Sequence, residues 1–395
     1  FTAFLGFEVN EGEYKVMGMA PYGSPRYVDK VWKVVQQSED GSIWLDLHYF
    51  AFHHSTKHSF SGKLVDLFGE PRDPAVPFVT ESTGFPSYYG PKPGNLAQLC
   101  SYNQHYADIA ASIQSVCEEL ILKLARELHR MTGSKRLCMA GGVALNSVAN
   151  AKILQETAFE ELYVQPSAGD GGGALGAALV AWHGTMGNGN GRFVMDHAYW
   201  GQDFQPEEIR SAIEASGYKA QYVENEDELI DLTVDRLESG RVVGWHQGRF
   251  EYGPRALGNR SILADPRRAE MKGVVNTKIK FREPFRPFAP SVLAEKASEY
   301  FEIPGSDNSW ATRFMLLVVP VREEKQEAIP AVNHMGTARL QAVHSSTNPR
   351  FHSLIERFGD ATGIPVLLNT SFNVRGESIV NTPQDALNTY ARSGI

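Results

Sequence analysis

Two short apolar runs, each followed by glycine and then by helical periodicity, constrain this chain more than any other feature. KRLCMA (135–140) leads through Gly141 and Gly142 into VALNSVANAKIL, and ELYVQP (161–166) leads through SAGDGGG into ALGAALVAWHG. A strand, a glycine turn and a helix in succession return the chain to the same sheet edge, so the strands run parallel. That predicts an α/β layer. Five glycines fall between Gly169 and Gly176 around a single acid, Asp170. Glycine is a poor helix former, so crowding it at a helix start predicts one of two things. Either helix and strand pack tightly, which would account for Gly173 and Gly176, or a ligand lies against the backbone.

A helix start carries unpaired N–H groups and the positive end of the helix dipole, and so suits an anion. Gly141 and Gly142 would let a nucleotide touch the backbone, with Asn146 one turn along for a polar contact. Gly171 and Gly172 offer amides in the second turn, but Asp170 would repel a phosphate. A divalent cation between them, with Asp170 as ligand, resolves the conflict. Two consecutive turns with an embedded acid favour nucleotide and metal over packing alone.

Elsewhere the organisation is regular. Ile109, Ile113, Val116, Leu120, Leu124, Leu128 and Met131 recur at helical spacing, with Gly133 beyond the end. After residue 200, QPEEIRSAIEAS and NEDELIDLTVDRLESG read as amphipathic helices, RVVGWHQG as a strand, and RFMLLVVPV and PVLLNTSF as buried strands. A length of 395 residues predicts two domains. The flexible MGNGNGR at 186–192 divides them into 1–192 and 193–395.

A second chemical cluster lies in GRFEYGPRALGNRSILADPR (248–267) and KIKFREPFRPFAPSV (278–292). Arg249, Arg255, Arg260, Lys280, Arg282 and Arg286 sit there among turn formers rather than along a solvated helix, which predicts an anion pocket. Arg339 in TARLQAV joins them, as do Asn369, Thr370 and Ser371 after a buried strand, where open α/β sheets place ligands. His48, His53, His54 and His58 have no carboxylate or cysteine at ligand spacing, which predicts a surface or structural role.

A net charge of −8 argues against nucleic acid or membrane as the main partner, and no run of 18 apolar residues is present. Cys100, Cys117 and Cys138 lack metal-ligand spacing and cannot pair evenly, which predicts a reducing cytoplasm. The chain begins at Phe1 without a signal-peptide pattern and stops within a helical stretch, NTYARSGI, so it reads as a fragment clipped at both ends.

Taken in order, KVMGMAPYG, AGGVALNSVAN, QPSAGDGGGALGAAL, GPRALGNRSILADPR, FREPFRPFAPSV and PVLLNTSFN closely resemble the NodU/CmcH/TobZ carbamoyltransferases over essentially the whole chain. The resemblance implies an α/β protein. It has a partial actin-like (ASKHA) domain, 1–192, followed by a YrdC-like α/β domain, 193–395. The latter would make carbamoyl-adenylate from ATP and carbamoyl phosphate. The actin-like part would then transfer the carbamoyl group to a small-molecule hydroxyl, with a bound divalent metal, Fe(II) or else Mg(II). By position, Asp170 matches the metal-ligand acid, and Gly142 and Asn146 match nucleotide contacts. Arg255, Lys280, Arg286, Arg339 and Asn369 match the carbamoyl phosphate and ATP site, with Arg249 and Arg282 as close rivals. Lys280 and Arg339 carry the catalytic assignment. Family members begin with a further segment bearing another glycine turn and a histidine pair that completes the metal site. Asp170 is therefore expected to be an orphan ligand here. Two rivals remain, a nucleotide-binding module without turnover and a HypF-like carbamoyl transfer to a protein thiol. A homodimer is one arrangement the reading leaves open.

Overall fold

The computed structural model describes residues 1–85, 90–189, 191, 193–305 and 309–395. The expected linker at 186–192 includes positions 190 and 192, which lie outside the described residues. Residues 1–135, 155–159 and 283–286 form one compact unit, and the remainder forms another.

The first unit packs helices α1 (Glu13–Met19), α2 (Gly62–Phe68) and α3 (Leu96–Thr132) beside a small antiparallel pair, β1 (Val35–Gln37) and β2 (Ile43–Leu45). The predicted long helix is present and stops as expected. Gly133 adopts φ 63°, and its N–H donates to the His129 carbonyl at 2.7 Å. Only the first half of its apolar stripe is covered. Ile109 and Val116 join Phe4, Leu5, Met19, Val31 and Leu64 in the core, whereas Leu124, Leu128 and Met131 are exposed. The four histidines from 48 to 58 are exposed, as the sequence predicts.

The second unit contains the two glycine-turn motifs. Strands β3 (Arg136–Met139) and β4 (Glu161–Val164) pair in parallel, with Leu137 opposite Leu162 and helix α4 (Ser147–Glu156) between them in the chain. Helix α5 (Gly172–Leu179) follows the second turn and continues as a π-helical turn, Val180–Thr185. None of its residues is buried. A Cβ added at Gly173 or Gly176 would meet nothing within 4 Å. Tight packing therefore does not explain those two glycines in this chain.

The rest of the unit is built on a five-stranded sheet in the order β10-β7-β11-β6-β5. Its strands are β5 (Val243–His246), β6 (Arg260–Ala264), β7 (Ala289–Leu293), β10 (Gln341–Val343) and β11 (Val366–Ser371). Only β10 and β7 run parallel in it, so this sheet of the expected second α/β domain is mostly antiparallel. RFMLLVVPV yields only a short strand, β8 (Val318–Pro320), which pairs with β9 (Thr337–Arg339). The charged helices α6 (Pro206–Ser216) and α7 (Glu226–Glu238) start where their signals stand. Gln205 and Glu208 form a capping box before Pro206, and the Asn225 side chain accepts from the N–H groups of Asp227 and Glu228. Ile230, Val234 and Leu237 of α7 and Phe351, Leu354, Ile355 and Phe358 of α8 (Pro349–Thr362) bury the apolar end of the sheet. The chain ends in α9 (Pro383–Ser393).

His246 on β5 donates from its ring to the Asn381 carbonyl, and burial lowers its pKa from the ordinary 6.5 to about 4. The unfolded chain takes up this proton as pH falls through 6.5, while the folded one refuses it until about 4. Stability is therefore lost over that window, with a limiting slope of about 1.4 kcal/mol per pH unit. Urea unfolding at pH 7 and pH 5 should show the wild type losing about 1–2 kcal/mol more than His246→Gln. Equal losses refute the assignment. Gly176→Ala should raise thermal stability, by about 0.5–1 kcal/mol, because the helix gains propensity and nothing is displaced. A lowered melting temperature would show that the helix face is covered in solution.

Candidate functional site

Alternation along the strands divides one face of the sheet into two ends. Register aligns Trp245 with Ser261, Leu263 with Asn369, Leu293 with Val343 and Ser291 with Gln341, so all of these side chains share a face. Leu263, Leu293, Val343 and Leu367 lie in the apolar cluster beneath α7 and α8. Toward the other end the same face turns polar, at Ser261, Ser291, Gln341, Asn369 and Ser371. Buried polar groups need partners, and most of these supply one another, although Asn369 Oδ1 has none among the described residues. The Asn369 amide donates to the Ser291 hydroxyl at 3.0 Å, to Gln341 at 2.9 Å and to the Ala256 carbonyl at 3.3 Å. Gln341 in turn donates to the Leu257 carbonyl at 2.8 Å.

These carbonyls belong to the GPRALGNR loop, which a buried carboxylate shapes. Glu251 Oε1 accepts from the backbone N–H groups of Leu257 at 2.7 Å, Asn259 at 2.8 Å and Arg260 at 3.2 Å. Burial pushes its carboxyl above the usual range, opposed by those N–H groups. Gly258 has φ 105°, and a Cβ there would come 2.2 Å from the Phe351 ring, so only glycine fits. Arg255 leaves this loop half-buried, one residue before Ala256.

Lys280 reaches the same end of β11. It is 2% exposed, and its Nζ donates to the Ser371 carbonyl, to the Ser371 hydroxyl at 3.1 Å and to Asn373 Oδ1 at 2.6 Å. These three oxygens are uncharged. The next residue, Phe281, adopts φ 49° and is half exposed. A bulky side chain in that region stores strain, which concentrates at functional sites. Asn369, Ser371 and Asn373 are spaced two apart, so strand alternation could have grouped them from the sequence alone. The sequence reading named the first two and missed Asn373, together with Gln341, Ser291 and Glu251.

The basic residues are not gathered into one pocket. Arg260 is fully buried as a structural anchor, donating to the carbonyls of Asn381 at 3.0 Å, Gln247 at 2.6 Å and Gly248 at 3.1 Å. Arg249 donates to the Gly201 carbonyl at 3.1 Å. Arg282 bonds Asn276 at 2.7 Å in the unit of Lys280. Arg286 instead packs in the first unit, against the Tyr14 ring, and donates to the Tyr14 hydroxyl at 2.7 Å. Arg339 ends β9, half-buried, two residues before Gln341.

The second glycine turn meets the basic loop within the second unit. Tyr252 donates to the Gly171 carbonyl at 2.6 Å, and a Cβ on Gly253 would lie 2.8 Å from the Pro166 carbonyl oxygen. The amides of the turns are partly engaged. Gly141 N–H donates to Ala168 at 2.7 Å and Gly172 N–H to Gly169 at 3.0 Å, so these two do not form the expected free cradle. The Asn146 side chain accepts from Ala149 N–H at 3.2 Å, as a helix cap does. Gly142 and Gly171 are exposed. Asp170 is exposed too, and among the described residues no group of three His, Cys, Asp or Glu side chains could hold a metal ion. One carboxylate does not make a metal site of this chain.

Comparison with known proteins gives this geometry a family. Residues 1–179 match the model of the carbamoyltransferase N-terminus, and residues 234–395 match that of the carbamoyltransferase C-terminus. The expected boundary at 192–193 lies between them, whereas contacts group β3, β4 and α5 with the five-stranded sheet. An uncharacterized protein of Synechocystis sp., sll1178, is 42% identical over 100% of this chain and 63% of its own length. Nodulation protein NolO of Bradyrhizobium diazoefficiens is 38% identical over 97% of this chain and 63% of its own length. For nodulation protein NolNO of Sinorhizobium fredii the figures are 38%, 99% and 52%. The chain thus spans less than two thirds of these relatives, while its own length is matched almost throughout, and it belongs to the carbamoyltransferase family.

Proposed function

We propose that this chain takes part in O-carbamoyl transfer. In this reading its C-terminal half, of YrdC-like fold, forms carbamoyl-adenylate from ATP and carbamoyl phosphate. Its actin-like N-terminal half then passes the carbamoyl group to a hydroxyl of a sugar, aminoglycoside or similar small molecule. The observation that carries the proposal is Lys280, a buried ammonium that donates to Ser371 and Asn373 at the polar end of the sheet, in a chain of this family.

The chemistry fits that feature. Forming the adenylate from these two substrates releases phosphate and pyrophosphate and consumes one water. Water splits carbamoyl phosphate into carbamate and phosphate. A carbamate oxygen then bonds to the α-phosphorus of ATP as the bond to pyrophosphate breaks, and negative charge grows on each departing oxygen. A fixed cation in a water-poor site stabilises such charge far better than one in bulk solvent. Ser371 and Asn373 hold the Lys280 ammonium in place, and Arg255 and Arg339 supply further cations within the same unit. Lys280 and Asn369 are both closed off in this conformation, so the strained turn at Phe281 is the segment that opens to admit a polyanion. No step is assigned to a metal.

The thiol-transfer alternative has little support here. Cys100, Cys117 and Cys138 form no disulfide, and among the described residues none joins a potential metal cluster.

Carbamoyl-phosphate-dependent exchange of labelled pyrophosphate into ATP tests the reading. The wild type should exchange. Lys280→Met should lower the rate about 10²-fold or more, and Arg339→Ala should abolish exchange. Asp170→Asn should leave it unchanged, because that side chain stands in the other motif. If the folded wild type binds nucleotide without exchange, the chain is a nucleotide-binding module and the proposal fails.

A further inference from the structure

The turn that follows β11 closes on Lys280 from two directions. Asn373 Oδ1 accepts from the Lys280 ammonium at 2.6 Å, and the Arg375 N–H donates to the Lys280 carbonyl at 3.2 Å. Side chain and backbone of one lysine are thus held by the same short loop. The loop is itself closed. The Glu377 N–H donates to the Val374 carbonyl at 3.2 Å, and Gly376, third in that turn, adopts φ 79°, in the left-handed region that favours glycine.

Glu377 stands at the centre of this arrangement. Its main-chain carbonyl accepts from Asn373 Nδ2 at 2.7 Å. Its carboxylate Oε2 accepts from the Val374 N–H at 3.1 Å and from the Thr389 hydroxyl at 3.2 Å, while Oε1 faces the Arg392 guanidinium. Thr389 and Arg392 lie about one turn apart on α9. The helix does not need the carboxylate for its own sake. Its start is capped by Thr382 and Asp385, and a helical threonine can satisfy its hydroxyl on the carbonyl one turn back. Thr389, 3% exposed, instead donates to Glu377.

An asparagine amide has an accepting end and a donating end. A peptide carbonyl only accepts and an ammonium only donates, so Glu377 and Lys280 impose the same orientation on Asn373 from opposite sides. With its nitrogen pinned by Glu377, Asn373 presents its oxygen to Lys280, and the Ser371 hydroxyl donates to that oxygen at 2.8 Å. We infer that Glu377 is a positioning residue: braced by Thr389 and Arg392, it fixes the turn 373–377 and, through Asn373, aims the Lys280 ammonium. The use made of that ammonium rests on the carbamoyl-adenylate reading above, whereas the brace has a readout that needs no turnover.

That readout is acetylation of the folded chain by trace acetic anhydride, followed residue by residue by mass spectrometry, with labelled pyrophosphate exchange run in parallel. In folded Glu377→Ala, Lys280 should acetylate about tenfold faster than in the wild type, because its ammonium loses a fixed acceptor. Lys272, partly buried in the same unit, should keep its wild-type rate. Exchange should lose about tenfold in kcat with KM for ATP held within about twofold, as when a charge is misaimed and no substrate contact is lost. Glu377→Gln keeps an acceptor oxygen for Val374 and Thr389, and should restore most of both effects. Unchanged Lys280 acetylation in folded Glu377→Ala overturns the inference. Equal acceleration at Lys272 overturns it too, since that marks general loosening. If Lys280 acetylation responds while the wild type exchanges no pyrophosphate, the adenylate reading fails and the brace stands. Should Glu377→Ala not fold, Thr389→Val removes one donor to the carboxylate and should accelerate Lys280 alone about threefold, with no acceleration refuting the brace.

Discussion

The polar end of the five-stranded sheet depends on one buried carboxylate. Glu251 gathers three backbone N–H groups of the GPRALGNR loop onto a single oxygen, and that loop then presents the carbonyls of Ala256 and Leu257 to Asn369 and Gln341. Loss of the acceptor would leave three orphaned donors in a dry environment, each costing about 1–3 kcal/mol. Arg260 packs close to Glu251, while its guanidinium is occupied by backbone carbonyls from three segments, at Gln202, at Gln247 and Gly248, and at Asn381. Breaking a buried charge arrangement by removing one member is far costlier than never having built it. The loop is consequently rigid where Arg255 departs from it.

Rigidity on one side contrasts with strain on the other. Lys280 and Arg282 flank Phe281 in the left-handed region, and the two cations diverge, one to Ser371 and Asn373 and the other to Asn276. A bulky residue held in this region carries backbone strain just where the chain buries an ammonium. The glycine turn 169–173 reaches the same unit through Tyr252 and Gly253, so the two glycine-rich motifs meet backbone to backbone. Family membership makes sense of why such distant stretches of sequence converge.

Much of the local architecture was legible from residue patterns. The period of α3 with Gly133 at its end, the parallel pairing of β3 and β4, and the starts of α6 and α7 all follow from local rules. Asn369, Lys280 and Arg255 were named in advance and do belong to one compact unit. The fate of the other arginines was not legible. A guanidinium tied up by backbone carbonyls and one facing a ligand have the same sequence signature, because some of those carbonyls, Gln202 and Asn381 at Arg260, come from far along the chain. Arg260, Arg249 and Arg286 are the residues where this matters.

By itself the sequence determined which stretches form helices, turns and buried strands, and which motifs mark the family, since propensity, capping and side-chain alternation act over a few residues. Tertiary structure alone decided that the main sheet is largely antiparallel, that Gly173 and Gly176 face open space, and that Asp170 stands apart from other potential ligands. Those outcomes depend on strand register and on contacts between residues tens of positions or more apart, where no local preference reaches.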